Sequence, residues 1–389
     1  MVIVHVCLAN NFFEGWGYQE NLLTKYHAAD NTVYVLTSDY AMDAGGHLLT
    51  KVESDYTNKD GVHVKVLRRK HSAVHYINCL NAFEDVYGSL DAIAPDIIFV
   101  HGGQFISLKD VLRYRKAHPA VRLFIDQHGD YYNMPLYNLK RKILHKHIFG
   151  HYMRKAVKYT EKFWGVTPWR CQYLQEVYGI PAEKTGLLVM GGDDQYIHLD
   201  RAPEIRAGIR KQYGIADDDF VLITGGKIDA AKNIHLLMQA VQEINEPSLK
   251  LIVFGQPDDK MKPVIEELSR DAHIINIGWL SSEKVYDYYI ASDLAVFPGT
   301  HSVLWEQACA CGTPGLFKLW DGMTHVNVNG SAVLLPEITK ESLITEIRRI
   351  FADRSQYSTM KQAAMTDCVP YFSYREIAKR AIAPSGKQA

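Results

Sequence analysis

Two stretches of this chain set charged side chains beside glycine turns, where they can meet a small anionic or polyhydroxyl ligand. The first is Thr224–Asn233, TGGKIDAAKN, directly after the apolar run Phe220–Thr224. Gly225 and Gly226 permit a tight turn and a close backbone approach. Lys227 and Lys232 then lie near the start of the next helical pattern, whose first N–H groups favour anions. Two ammonium groups and a helix start suit a diphosphate. The stretch matches neither the GxxxxGK[ST] loop nor GxGxxG, which speaks against nucleoside triphosphates and dinucleotides. A solvated loop with two surface lysines is the competing reading.

The second stretch is Phe297–Gly315, FPGTHSVLWEQACACGTPG. A strand ends at Pro298-Gly299, and Thr300 or Ser302 is placed to cap a helix starting near Val303. Gly312-Thr313-Pro314 closes that helix. Glu306 falls in its first turns, where a carboxylate can accept paired hydroxyls such as a ribose or sugar offers. It can equally do no more than complement the helix dipole, which contributes about 0.3–1 kcal/mol.

The N-terminal half carries three more candidates. In EGWGYQENLL, Gly15 and Gly17 form a flexible turn into a helix at Tyr18. In LFIDQHGDYYN, His128 and Asp130 stand just past a buried strand. In VHGGQ, His101 precedes Gly102-Gly103; a lone histidine is also a common structural residue. The segment 138–158 is strongly basic, with Lys140, Arg141, Lys142, Lys146, Arg154, Lys155 and Lys158, and no acid occurs from Tyr131 to Thr160. Leu139, Ile143, Leu144, Ile148 and Phe149 recur through it at helix-like spacing. A basic amphipathic helix can lie on an anionic membrane or hold a lipid diphosphate; a solvated charged face fits as well.

These residues are positioned by alternating elements. Apolar runs rich in Val, Ile and Phe are expected as strands at Val2–Leu8, Thr32–Thr37, Val62–Leu67, Ile97–Val100, Val121–Ile125 and Phe163–Val166. A second set follows at Phe220–Thr224, Leu249–Phe254, His273–Ile277, Leu294–Phe297 and Gly315–Lys318. Helical patterns such as Tyr18–Ala28, Leu108–Ala117, Asn233–Ile244 and Ser282–Ala291 separate them. Buried strands each followed by a helix imply parallel sheets covered on both faces. The fold class is therefore α/β, with two Rossmann-like doubly wound domains facing across a cleft, and ligands are expected at the carboxyl ends of the strands. The turn-rich stretch from Val189 to Asp219 reads as a linker.

Composition bounds the function. A chain of 389 residues suggests two or three domains. The formal charge of −1 excludes a global field that recruits nucleic acid. No run approaches the roughly 18 apolar residues of a membrane span. The opening MVIVHVCLA lacks a basic leader and reads as a first buried strand. The six cysteines show no zinc spacing, so reduced thiols in a cytoplasm are expected.

The ordered series GGKIDAAKN, IVFGQ, ASDLAVFPG and EQACACGTP, over roughly Phe220–Leu335, resembles the nucleotide-sugar-binding domain of GT-B glycosyltransferases, specifically retaining family four. GWGYQENLL is similar to a loop in capsule and O-antigen (lipopolysaccharide) enzymes. Two departures stand out. Lys227 replaces the family's usual Arg, which keeps the charge but loses the bidentate fork. The family has two glutamates with seven residues between them; here Glu306 sits one position before the later one, whose register Gln307 occupies. The earlier place falls on Pro298 or Gly299, so His301 and Ser302 are expected to take its role.

The resemblance implies a retaining hexosyltransferase that moves a sugar from a UDP-sugar or GDP-sugar to a glycan or lipid-linked oligosaccharide acceptor in surface polysaccharide biosynthesis. The implied donor site comprises Gly226, Lys227, Lys232, His301, Ser302, Val303 and Glu306, and the implied acceptor side Gly15, Gly17, His101, His128 and Asp130. His128 matches a family histidine that faces the reacting sugar, and His128, Lys232 and Glu306 are the catalytic candidates. No cofactor or metal is implied, since fixed cations take that part and no DxD pair appears. A cytoplasmic protein is expected, peripheral on the inner face of the cell membrane through 138–158 and without nucleic-acid partners. FSYREIAKRAI resembles the family's last helix, crossing back onto the first domain. Residues 1–192 with 371–389 then form the acceptor-side domain and 193–370 the donor domain. A nucleotide-sugar epimerase and an inactive glycan- or nucleotide-binding module share this architecture; a nicotinamide dehydrogenase is disfavoured because no GxGxxG with a trailing acid follows a strand.

Overall fold

The computed structural model describes residues 1–10, 12–42, 48–50, 55–70, 80–320 and 322–383. They form two compact units: Met1–Val189 with the segment from Ile377, and Met190–Glu376. These boundaries fall a few residues from the expected 192 and 370.

The first unit contains β1 (Val2–Cys7), β2 (Thr32–Ser38), β3 (Tyr40–Met42), β4 (Leu48–Thr50), β5 (Tyr56–Thr57), β6 (His63–Leu67), β7 (Ile97–His101), β8 (Arg122–Gln127), β9 (Lys162–Gly165) and β10 (Thr185–Leu187). Eight of them make one sheet in the order β10-β9-β8-β7-β1-β2-β6-β5, and β3 and β4 pair separately. All pairs of the large sheet are parallel except β5 with β6. The two-residue period of a strand sorts its side chains. Val4, Val6, Ile98, Val100, Leu123 and Ile125 enter one continuous apolar core. Their neighbours His5, Phe99, His101, Phe124 and Asp126 point to the opposite face, and all five are buried.

The second unit adds β11 (Phe220–Ile228), β12 (Leu249–Pro257), β13 (Ile274–Gly278), β14 (Leu294–Phe297), β15 (Gly315–Lys318) and β16 (Ala332–Leu335). Its order is β13-β12-β11-β14-β15-β16, all parallel. The turn expected at Thr224 is instead strand: β11 runs on to Ile228, paired with β12 as far as Pro257. Glycine makes this possible, because Gly226 and Gly255 stand opposite each other at φ of +102° and +112°. A Cβ on Gly255 would lie 1.8 Å from the Gly226 carbonyl oxygen.

The expected linker is also partly domain. The helix Ala202–Tyr213 anchors it through Arg210, whose buried Nη2 donates to Asp293 Oδ2 at 3.0 Å while Arg206 donates to Oδ1 at 2.8 Å. Asp293 in turn accepts from the Val221 amide at 2.8 Å, fixing the helix to the base of β11. No helix among the described residues is long and apolar enough to cross a membrane.

Candidate functional site

In each unit the strand order reverses once, between β1 and β7 and between β11 and β14. At such a reversal the loops after the two strands diverge and leave a crevice for ligands. Most of the candidate residues lie at these two points.

In the second unit the β11 loop and the β14 loop are tied together. Asp229 Oδ1 accepts from the Ala231 amide at 3.0 Å, and the short turn it starts ends on Lys232. Lys232 Nζ donates to the Thr300 carbonyl at 2.8 Å. Asn233, at φ +53°, donates from Nδ2 to the Pro298 carbonyl at 3.1 Å. A Cβ on Gly299 would lie 2.3 Å from Lys232 Cα, which explains physically why no glutamate stands there. The backbone of Lys232 fills the space. Thr224, Lys232, Pro298, Gly299, Thr300 and Trp305 line a small cavity. Burial lowers the Lys232 pKa, with Asp229 opposing and Lys227 adding to the shift. Lys227 is exposed, with its ammonium 4.0 Å from Asp229, and is not packed into the cavity wall.

Behind the loop lies Glu306, fully buried in the seven-residue helix Leu304–Ala310. Its Oε1 accepts from His301 Nε2 at 2.7 Å and from His325 Nε2 at 2.8 Å. Burial pushes the carboxyl pKa up, but the two imidazoles outweigh it and hold the group well below the usual carboxylate range. The second oxygen, Oε2, is buried without a hydrogen-bond partner. A buried carboxylate oxygen in that state is an acceptor waiting for a donor. Ser302 Oγ accepts from the Leu304 amide at 3.3 Å and so stands at the helix start, next to Val303. Thr300, the other expected cap, is engaged through its backbone carbonyl.

In the first unit Asp126 is the hub. Its Oδ1 accepts from the Gly102 amide at 3.0 Å, and its Oδ2 from His101 Nδ1 at 2.9 Å and His128 Nε2 at 3.1 Å. Burial opposes ionisation, yet His128 and His101 pull the Asp126 pKa below the carboxylate range. Burial likewise depresses His128, but Asp126 and Glu20 overcome it and raise the imidazole pKa. Glu20 Oε1 is 4.0 Å from His128 Nε2. The helix Gln19–Ala28 brings Glu20 inward, and Gly15, at φ +79°, with Gly17 forms the exposed turn before it.

Two expectations are corrected here. His101 does not line an acceptor surface: it has no exposed area, and both ring nitrogens are engaged. Asp130 is a turn-former, because Oδ1 accepts from the Tyr132 and Asn133 amides, each at 3.0 Å, and Oδ2 pairs with Arg170 Nε at 3.1 Å. The residues missed were Asp126, Glu20, His5, His27 and His325. For His5 and Asp126 the signal was a histidine or an acid within an apolar strand, as in VIVHVC and LFIDQ, whereas Glu20 and His27 lie on the helix Gln19–Ala28. His325 had none, since it meets Glu306 from 19 positions further along the chain, beyond the end of the helix and the strand Gly315–Lys318.

Glu20, His101 and His128, and likewise His301, Glu306 and His325, each offer three ligand atoms within 4.8 Å of one another. These are donor types a small divalent cation accepts. In the second group the short nitrogen–oxygen contacts are ring N–H groups donating to Glu306; in the first, both imidazoles donate to Asp126 instead, and Glu20 stands 4.0 Å from His128.

The segment 138–158 is helical from Leu139 to Ala156, as Leu139–Lys142, a π-helical stretch Ile143–Phe149, and Gly150–Ala156. Phe149, Met153 and Ala156 are buried, whereas Tyr137, Leu139 and Ile143 remain exposed at 86%, 70% and 45% beside Lys140, Arg141 and Lys142. An exposed apolar edge among cations is the unusual feature here.

Comparison with known proteins fits this geometry. Residues 206–367 match the family model for glycosyl transferases group 1. Over its whole length the chain is similar to a glycosyltransferase from Rickettsia africae, with a TM-score of 0.68 at 14% identity, covering 97% of this chain and 96% of that one. The fold is GT-B. The Anabaena protein HepE, solved in complex with UDP, is a second GT-B neighbour, with a TM-score of 0.66 at 15% identity and 98% of both chains covered. Among curated sequences the chain is 25% identical over 191 residues to the lipopolysaccharide 1,2-N-acetylglucosaminetransferase of Salmonella typhimurium, covering 44% of this chain and 49% of that protein. The chain spans about half the length of the curated relatives it matches.

Proposed function

We propose that this GT-B chain is a retaining glycosyltransferase that takes a sugar from a nucleoside-diphosphate donor and passes it to a glycan or lipid-linked acceptor in surface polysaccharide assembly. The observation that carries this reading is the fixed ammonium of Lys232 at the β11/β14 reversal, inside the segment that matches the glycosyl transferases group 1 model. Cleaving a sugar–diphosphate bond builds charge on the leaving diphosphate, and a preorganised cation there is worth several kcal/mol. Lys232 supplies that cation at short range and exposed Lys227 at longer range, so no metal or other cofactor is needed. The bare Oε2 of Glu306 accepts a hydroxyl of the donor, with His301 and His325 holding the carboxylate in place.

His128 faces the reacting sugar. With Nε2 donating to Asp126, its Nδ1 is left for a ligand hydroxyl or phosphate. The exposed Gly15–Gly17 turn leads into the helix that carries Glu20, whose carboxylate lies 4.0 Å from the His128 ring, and is assigned to the same acceptor side. The exposed Tyr137, Leu139 and Ile143 with their lysines and arginine seat the protein on the inner face of the cell membrane, where a lipid-linked acceptor resides. The likeness to the Salmonella enzyme supports a surface-polysaccharide acceptor.

Calorimetric titration with UDP and GDP, on wild type and on Lys232→Ala, tests the donor site. Binding of one nucleotide, weakened by the substitution, is the expected outcome. Binding of neither nucleotide to the wild type refutes the reading.

A further inference from the structure

Three imidazoles of the first unit form an unbroken chain that the proposed reaction does not use. His27, in the last turn of the helix Gln19–Ala28, places Nε2 2.8 Å from the carbonyl oxygen of Ala378. Its Nδ1 lies 3.0 Å from His5 Nε2, and His5 Nδ1 lies 2.9 Å from His101 Nε2. His101 Nδ1 reaches Asp126 Oδ2 at 2.9 Å. All four side chains are buried, and the His5 ring stacks on that of His101 with centroids 5.2 Å apart.

The chain has one permitted direction. A carbonyl accepts and never donates, so His27 carries its hydrogen on Nε2. An uncharged His27 then accepts at Nδ1, which puts the hydrogen of His5 on Nε2. An uncharged His5 accepts at Nδ1, so His101 donates from Nε2. Burial is the main reason both stay uncharged: it lowers His5 far below the ordinary imidazole value and His27 to about 4. At the far end Asp126 is an anion and accepts, so His101 must donate from Nδ1 as well. Reversing the chain would set a bare ring nitrogen against the Ala378 carbonyl, lone pair to lone pair.

We propose that His101 carries a hydrogen on both ring nitrogens, and that the chain from Ala378 to Asp126 is a positioning device that locks the Asp126 carboxylate in the orientation that aims His128. A buried ion pair persists where every remaining hydrogen-bonding group is satisfied. Here the Gly102 amide and His128 complete the carboxylate, and His5 takes the other hydrogen of His101. The polarity is dictated by Ala378, in the helix Tyr374–Ile382, so backbone at the end of the chain sets the charge of an imidazole three rings away. The charged or titratable groups packed around it are Cys7 on β1, Glu20 on the first helix, His128 after β8, and Arg170 on the helix Pro168–Glu176.

The relevance to catalysis rests on the role of His128 proposed above; the hydrogen pattern does not. Long-range proton–nitrogen spectra of the full chain, labelled with 15N-histidine and recorded at about pH 8, read the pattern directly. Single His→Gln variants assign the signals. The expected result is two protonated nitrogens on His101, with His5 and His27 neutral and protonated at Nε2. A bare nitrogen on His101 overturns the proposal. His27→Phe cuts the chain, lets His5 reverse, and is expected to strip one hydrogen from His101. Without that positive neighbour the titration midpoint of His128 rises, and the pH profile of sugar transfer moves with it. An unchanged His101 and an unchanged His128 midpoint in this variant also overturn the proposal. Should His27→Phe not fold, His27→Gln keeps both links through its amide and is expected to retain the wild-type His101 pattern. Loss of UDP and GDP binding in the wild type would count against the proposed reaction alone, leaving the spectra to decide the relay.

Discussion

The imidazole chain makes the first unit sensitive to acid, and His27 provides the sharpest quantity. Its pKa falls from 6.5 to about 4, mainly through burial and further through His101, against the favourable bond to the Ala378 carbonyl. In the unfolded chain the same ring titrates near the ordinary value. Between the two values the unfolded state binds the proton and the folded state does not. Stability therefore falls as pH drops through 6.5 and stops falling near 4. Linkage converts the shift into about 2 kcal/mol lost by pH 5 and about 3 kcal/mol by pH 4. His27→Gln removes this titration, so the quantity to follow is the stability of wild type minus that of the variant. Other groups, among them His128 with its opposite sign, cancel in that difference. Amide exchange of β1 and β7 peptides, corrected for intrinsic rates, reports the opening free energy of this unit by itself. The difference should shrink by about 2 kcal/mol from pH 7.5 to pH 5. A difference that stays constant over this window refutes the reasoning, because His27 would then be as solvated folded as unfolded.

Four further outcomes are expected. Lys232→Ala should lower turnover about 100- to 1,000-fold while leaving circular dichroism unchanged, as removal of a preorganised donor does elsewhere. Gly299→Ala drives a Cβ to 2.3 Å from Lys232 Cα, so nucleotide affinity measured by calorimetry should drop although no side chain of the site is removed. Glu306→Gln exchanges a charged acceptor of two imidazole bonds for a neutral one and should cost roughly 1.5–3 kcal/mol in urea unfolding of the second unit. Leu139→Ser with Ile143→Ser should reduce sedimentation with anionic vesicles without altering nucleotide binding; unchanged sedimentation would leave 138–158 as a solvated face.

What the sequence determined by itself was the periodic part. Val-, Ile- and Phe-rich runs alternating with helical patterns sufficed for two parallel-sheet units, since buried parallel strands must be apolar on both faces and need a crossover helix between them. Leu108–Ala117, Leu294–Phe297 and Gly315–Lys318 are observed with the expected limits. TGGKIDAAKN and FPGTHSVLWEQ were legible as site segments because glycine, lysine and an isolated carboxylate beside strand ends are unusual locally. Tertiary structure decided what those residues touch. The Gly226–Gly255 pair extended β11 beyond its expected end, Gly299 made room for the Lys232 backbone, and Asp130 was taken by Arg170. His101 withdrew from the surface into a relay with His5 and His27, and Glu306 acquired His325 from a distant loop. Strand pairing joins residues such as His5 and His101, 96 positions apart, through a register that no local pattern encodes. Hydrogen-bond direction, and with it charge, is a property of the assembled chain of groups. It is set by one carbonyl at Ala378 that lies 351 residues from the histidine it fixes.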